Sequence, residues 1–153
     1  MKVLFPPEVI IIRDEEKSVF LAGSIDLGKA QEWQNELLES LKDWKGVVLN
    51  PRRPDWDSGW SQSIDHPQFY EQVNWELEGL EKADLIVYYF APGSQAPVTL
   101  LELGLYAKSG KAVVCCPPGY WRKGNIDIVC QRYGIRQVEN LEKLKEEIEK
   151  ISG

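Results

Sequence analysis

The sequence is poor in the residues that build metal and disulfide centres. Three cysteines, Cys115, Cys116 and Cys130, and one histidine, His66, are spread over 153 residues. An odd cysteine count without a CxxC pair argues against a secreted disulfide scaffold, and one histidine cannot anchor a multi-histidine metal site. Cys115 and Cys116 end an apolar run and read as buried rather than reactive. No window approaches the ~20 apolar residues of a membrane span. The run Val9 to Ile12 is too short for a signal-peptide core, and Pro6, Pro7 and Glu8 precede it. The expectation is a cytoplasmic protein without a membrane partner. Basic charge is also in deficit, with 18 Lys and Arg against 24 Asp and Glu and a net charge of −6. Such a surface repels a phosphate backbone, which argues against a nucleic-acid polymer as partner. A small nucleoside or nucleotide is compatible with it, because a pocket can differ from the surface around it.

What is present is ordinary globular composition, 43% hydrophobic and 27% charged, in a length that suits one domain over residues 1–153. Val9 to Ile12 reads as a short N-terminal strand. Further strands are expected at Ser18 to Ala22, Val47 to Asn50, Asp84 to Phe90, Lys111 to Cys116 and Ile135 to Val138. Helices are expected from about Lys29 to Lys42, with Ala30, Trp33, Leu37 and Leu41 inward, and from Pro67 or Gln68 to Lys82. The stripe of the second is Tyr70, Val73, Leu77 and Leu80. Others run from Val98 to Ser109, Asn125 to Tyr133 and Leu141 to Ile151, the last a solvated charged face. The central strand Asp84 to Phe90 is continuously apolar, as in a sheet covered on both faces. Alternating strands and helices predict a three-layer, doubly wound α/β fold with a parallel sheet. Its strand-to-helix loops share one edge, where such folds bind ligands. Three loops meet there, at Gly23 to Gly28, Pro51 to Pro67 and Ala91 to Pro97.

Each candidate site residue has a plain reading beside a functional one. Gly23-Ser24-Ile25 is a glycine-led turn between strand and helix, suited to a phosphate, sugar hydroxyl or carboxylate. It is neither GxGxxG nor a P-loop, and it could be a simple turn with Asp26 or Ser24 as cap. Glu102 matches a capping box with Thr99 in a first helical turn. Alternatively its carboxylate, opposite the stripe of Leu100, Leu103, Gly104 and Ala107, faces the loop edge, kept ionised by the helix terminus and able to act as a nucleophile. Glu76 is either solvated or the second carboxyl of a glycosidic pair. Trp75 falls outside its helix stripe and covers an interface or lines a pocket. Trp56, Trp60, Phe69 and Tyr70, with Tyr88 or Tyr89, either stack on a flat base or pack the long loop down. Arg52 and Arg53 suit an anion or a salt bridge to Asp55 or Asp57.

Four segments together resemble the nucleoside 2-deoxyribosyltransferase superfamily, in its divergent 2-deoxyribosyltransferase-like branch. They are Phe20-Leu21-Ala22-Gly23-Ser24-Ile25 with Trp33; Asn50-Pro51-Arg52-Arg53; Gln72-x-x-Trp75-Glu76 with Leu80 and Ala83-Asp84; and Leu101-Glu102-Leu103-Gly104 before Lys111. The resemblance implies a flavodoxin-like fold of about five strands, a homo-oligomer, and cleavage or transfer at the N-glycosidic bond of a 2′-deoxynucleoside without metal or redox cofactor. It implies Glu102 as nucleophile on C1′, Glu76 near the base, and the Gly23–Ile25 turn against the sugar or a 5′-phosphate. Alternative readings are a 2′-deoxynucleoside 5′-monophosphate hydrolase and a binding module without turnover. The family's aspartate upstream of the glutamate is missing from Gly93-Ser94-Gln95-Ala96-Pro97, where Ser94 or Gln95 would substitute. Family members borrow residues from a neighbouring subunit's C-terminal region. No segment here carries that region's pattern, and Asn125 is the candidate offered for its role.

Overall fold

A computed structural model describes residues 1–25, 32–53, 55 and 59–151. In chain order these form β1 (Lys2–Leu4), β2 (Ser18–Gly23), α1 (Trp33–Ser40), β3 (Val47–Leu49), α2 (Pro67–Lys82) and β4 (Leu85–Tyr89). They continue with α3 (Pro97–Tyr106), β5 (Ala112–Cys115), α4 (Lys123–Tyr133), β6 (Arg136–Val138) and α5 (Leu141–Glu149). The strands make one sheet, in the order β1-β3-β2-β4-β5-β6, with every pairing parallel. Without β1 this is the flavodoxin-like order, whose direction reverses between β2 and β4.

Apolar runs that look continuous in sequence separate into two cores by the two-residue period of a strand. Phe20, Ala22, Ile86 and Tyr88 face α2, α3 and α4, among Trp75, Leu80, Leu103, Ile126 and Cys130. Val19, Leu21, Val87 and Tyr89 face α1 and α5, among Trp33, Leu37, Leu144 and Ile148. The three-layer expectation therefore holds. The cysteines are buried, and burial first of all pushes their thiols up, Cys115 to about 12 and both Cys116 and Cys130 to about 11. That removes the thiolate a reactive cysteine needs.

Three local expectations are corrected. Val9 to Ile12 is not a strand, and the N-terminal strand is Lys2–Leu4. Of that run Ile10 is buried while Val9 and Ile11 are exposed. Its neighbourhood lies along α2, where Trp75 Nε1 donates to the Glu8 carbonyl and Lys82 Nζ to that of Ile10. In α2 the buried residues are Gln72, Trp75, Gly79 and Leu80, whereas Tyr70 and Leu77 are exposed. Gly79 sets this rotation, because a Cβ there would come within 2.8 Å of the Phe20 ring. In α3, which starts at Pro97 rather than Val98, the buried residues are Thr99, Glu102 and Leu103. Gly104 is exposed, as are Val98, Leu101 and Leu105. Among the described residues no helix is long and apolar enough to cross a membrane, and no cluster of His, Cys, Asp or Glu could hold a metal ion.

Candidate active site

Helix α3 buries a carboxyl and α2 half-buries one, while both leave large apolar side chains in solvent. Helices α2 and α3 both contact β2 on the same face of the sheet, beside the point where the strand order reverses. Glu102 of α3 lies within the electrostatic reach of Glu76 of α2. Glu102 is 7% exposed and lies in the second turn of α3. The helix N-cap, Ala96, has a left-handed backbone and receives no side-chain cap. The capping-box reading thus fails, and the alternative of a carboxylate kept ionised by the helix terminus is corrected by the burial of Glu102 and the rise in its pKa. Burial, and after it the charge of Glu76, raises the Glu102 carboxyl to about 8. Burial raises Glu76 to about 7, opposed by a hydrogen bond from Gln72. Both carboxyls are thus raised towards neutrality, and they titrate as a pair.

Their surroundings differ. Gln72 Nε2 donates to Glu76 Oε1 at 2.8 Å and to the Pro51 carbonyl at 3.0 Å. Glu102 Oε2 is buried without a hydrogen-bond partner among the described residues. The Tyr88 hydroxyl donates to the Glu102 backbone carbonyl at 3.2 Å, and burial followed by the Glu102 charge drives its pKa upward. A buried carboxyl oxygen with nothing to bond costs stability and is the arrangement expected of a group kept for a ligand.

The Gly23–Ile25 turn joins the loop after β4. Ser24 N–H donates to the Tyr89 carbonyl at 3.1 Å. Ser94 Oγ donates to the Ala91 carbonyl at 2.7 Å, which uses its only proton. Ser24 Oγ must therefore donate across the 2.6 Å contact to Ser94 Oγ, while it accepts the Ala91 N–H at 3.0 Å. Both hydroxyls, expected to meet substrate, serve to lock the two loops together. Gly23 is required here, since a Cβ would lie 2.6 Å from the Tyr89 carbonyl and closer still to an edge atom of the Trp33 ring. Ile25 is half-buried at the end of the turn. Asp26 lies outside the described residues, as does Trp56.

The remaining candidates are dispersed. Arg53 is buried, with Nε and Nη2 on the Asp55 carboxylate at 2.7 and 3.0 Å and Nη1 3.8 Å from Glu71. It stacks 4.9 Å from the Trp60 ring, which in turn lies 6.0 Å from His66. Of the two readings for Arg53 the salt bridge is thus realised, and Trp60 packs within the loop. Arg52 reaches Gln34 Oε1 at 3.1 Å and Glu32 at 3.9 Å. Trp75 is a core residue, 6.2 Å from Phe20 between ring centroids. It also lines a cavity of about 390 Å³ with Tyr70, Asn74 and the chain at Pro7–Ile10, a lining that includes neither Glu76 nor Glu102. Tyr89 faces the opposite layer against Trp33, so Tyr88 is the tyrosine beside the carboxyls. Gln95 uses its backbone carbonyl to accept from Tyr120 and Trp121. Asn125 is exposed on α4. Sequence reasoning quoted Gln72 without a role of its own and did not choose between Tyr88 and Tyr89. The signal for Gln72 was its place one turn before Glu76, on the helix side that Gly79 presses to the sheet.

The family model described as "Nucleoside 2-deoxyribosyltransferase like" matches residues 16–120. Among solved structures, the solution structure of BlsM is similar with a TM-score of 0.59 and 18% identity, over 90% of this chain and 90% of that one. At that identity the likeness bears on the fold alone. No curated protein matches the sequence. The family match spans well over half of the chain and takes in both carboxyls, and on that ground this chain belongs to the nucleoside 2-deoxyribosyltransferase-like family.

Proposed function

We propose that this protein cleaves or transfers the N-glycosidic bond of a 2′-deoxynucleoside through a covalent deoxyribosyl ester on Glu102. The observation that supports the reading is the buried Glu102, with a carboxyl oxygen that has no partner among the described residues, within the field of the half-buried Glu76 from another helix. In the productive state Glu102 is ionised and Glu76 holds the proton. Glu102 attacks C1′ as the C1′–N bond breaks. The bond's electron pair stays on the base nitrogen, which takes the proton from Glu76. A second base or water then attacks C1′, giving its proton to Glu76, and the C1′–O bond to Glu102 breaks, freeing its carboxylate. Protonating the leaving base removes the charge that would otherwise develop on it. The burial that raises both carboxyls also keeps competing water from the ester. No step needs a metal or a redox group.

The test is incubation with a deoxynucleoside and a different free base, followed by chromatography. Exchanged nucleoside supports transfer, and free base alone supports hydrolysis. A parallel arm with the 5′-monophosphate separates the nucleotide substrate. Binding without product in either arm contradicts the proposal. For assembly we propose a homo-oligomer, supported by the exposed apolar side of α3 at Val98, Leu101 and Leu105; the cytoplasmic setting belongs to the same proposal.

A further inference from the structure

Packing does not explain Gln72. It is 3% exposed, on the side of α2 that lies against the sheet, where an apolar side chain of the same size would fill the space without burying an amide oxygen. Both hydrogen bonds of its amide nitrogen are made, to the Pro51 carbonyl and to Glu76 Oε1, while its own Oε1 is buried without a partner among the described residues. The amide cannot be turned over. The Pro51 carbonyl only accepts, so a reversed amide would set oxygen against oxygen there and at the carboxylate.

We infer that Gln72 is a positioning residue which, bridging the Pro51 carbonyl to Glu76 Oε1, holds Glu76 as the ionised member of the resting carboxyl pair and leaves the shared proton on Glu102 until substrate binds. Its catalytic meaning rests on the function proposed above. An N–H bond to a carboxylate is stronger than one to a carboxylic acid, and Glu102 Oε2 receives no such bond. The other groups around the pair do not reverse this. From β4, the Tyr88 hydroxyl is spent on a backbone carbonyl. From α3, Tyr106 feels the Glu102 charge and adds none of its own while protonated. The Arg53 guanidinium is directed to Asp55 and Glu71. Among the described residues no cation pairs with either carboxyl.

The consequence is a nucleophile protected as its acid. Catalysis needs the proton to pass from Glu102 to Glu76 and onward to the base nitrogen as C1′–N breaks, so the pair itself supplies the proton. Gln72 occupies Glu76 Oε1, which assigns the transfer to Oε2.

Carbon-13 labelling of the glutamate carboxyls, with each resonance followed by NMR across pH, reads the order of titration directly. In the wild-type protein Glu76 should lose its proton below Glu102. In Gln72→Met, which keeps the volume and removes the bond, the Glu76 midpoint should rise by about one pH unit, the size of one hydrogen bond to a charged group. The acid limb of kcat should move up with it while KM changes little. Gln72→Asn, too short to bridge both partners, carries the same expectation should the methionine variant not fold. A Glu76 midpoint unchanged in the folded variant overturns the inference. A wild-type protein whose carboxyls titrate in this order but which turns over no deoxynucleoside overturns the proposed function and leaves the Gln72 inference standing.

Discussion

Glu102 on α3 carries its carboxyl within the field of Glu76 on α2, and burial together with that neighbour raises it to about 8. A carboxyl in this condition is a poor structural element and a well-prepared reagent. Its folded-state pKa lies above the ordinary 4.5, so the native protein binds more protons than the unfolded chain between those two values. Stability is therefore greatest on the acid side and declines as pH rises from about 4.5 towards 8.

Glu102→Gln should follow that sign. The neutral amide removes the cost of ionising a buried group. At pH 8 the variant should be more stable than the parent by about 1–3 kcal/mol, with the difference shrinking as pH falls to 5. Thermal melts at several pH values check this. The same variant should lose at least about 10³-fold in kcat, because the attacking oxygen is gone. A variant that melts well below the parent at every pH would return Glu102 to a structural role.

Glu76→Gln should act in two ways. The raised pKa of Glu102 should fall once the neighbouring charge is gone, and kcat should drop by about 10²–10⁴-fold because the base no longer receives a proton. A deoxyriboside with a leaving group that departs without protonation should lose far less. Parallel kcat measurements on both substrates decide the matter.

Turnover itself should be suppressed in acid. With Glu76 raised to about 7 and Glu102 to about 8, the pair is doubly protonated well below neutrality and no ionised oxygen remains to attack. The kcat profile should rise towards neutral pH rather than near the ordinary carboxylate range, and fall again once the last proton leaves.

The glycines should divide by what surrounds them. Gly79→Ala drives a methyl into the fully buried Phe20 ring and should cost about 1–3 kcal/mol. Gly23→Ala meets a backbone carbonyl as well as the Trp33 ring and should cost at least as much. Gly104→Ala, with nothing within 4 Å, should stabilise α3 by up to about 1 kcal/mol. Chemical denaturation of the three variants checks the order.

The serine latch predicts a further asymmetry. Ser24→Ala leaves the Ala91 N–H without its acceptor and should cost about 1–3 kcal/mol. Ser94→Ala removes only a donor to a carbonyl and the acceptor of the Ser24 proton, and should cost less. Denaturation midpoints of the two variants compare them directly.

Much of the architecture was legible because strands and helices alternate at spacings that permit parallel crossovers. Trp33, Leu37 and Leu41 point inward as their spacing predicts. Legibility failed at α2 and α3, for one reason. An apolar stripe predicts the buried side only when the buried side is apolar, and here it carries Gln72 and Glu102, with Glu76 at its margin. The choice of Tyr70 and Leu77, or of Gly104, followed hydrophobicity where close packing at Gly79 and the needs of a site prevailed. Tyr88 and Tyr89 show the limit of adjacency, since neighbouring strand residues face opposite layers. Ser24 and Ser94, distant in sequence, could not be recognised as one latch before the β2 and β4 loops were brought together. The resemblance named the two carboxyls, but their raised pKa values arise from burial, which spacing alone does not convey.

The most direct test of the account is acid quenching of the protein during turnover of a 2′-deoxynucleoside, followed by proteolysis and mass spectrometry of the peptide containing Glu102. The account predicts that peptide with the added mass of one deoxyribosyl group, sensitive to mild base and missing in Glu102→Gln. Rapid turnover with the peptide unmodified at every quench time, or the sugar attached to another residue, would contradict it.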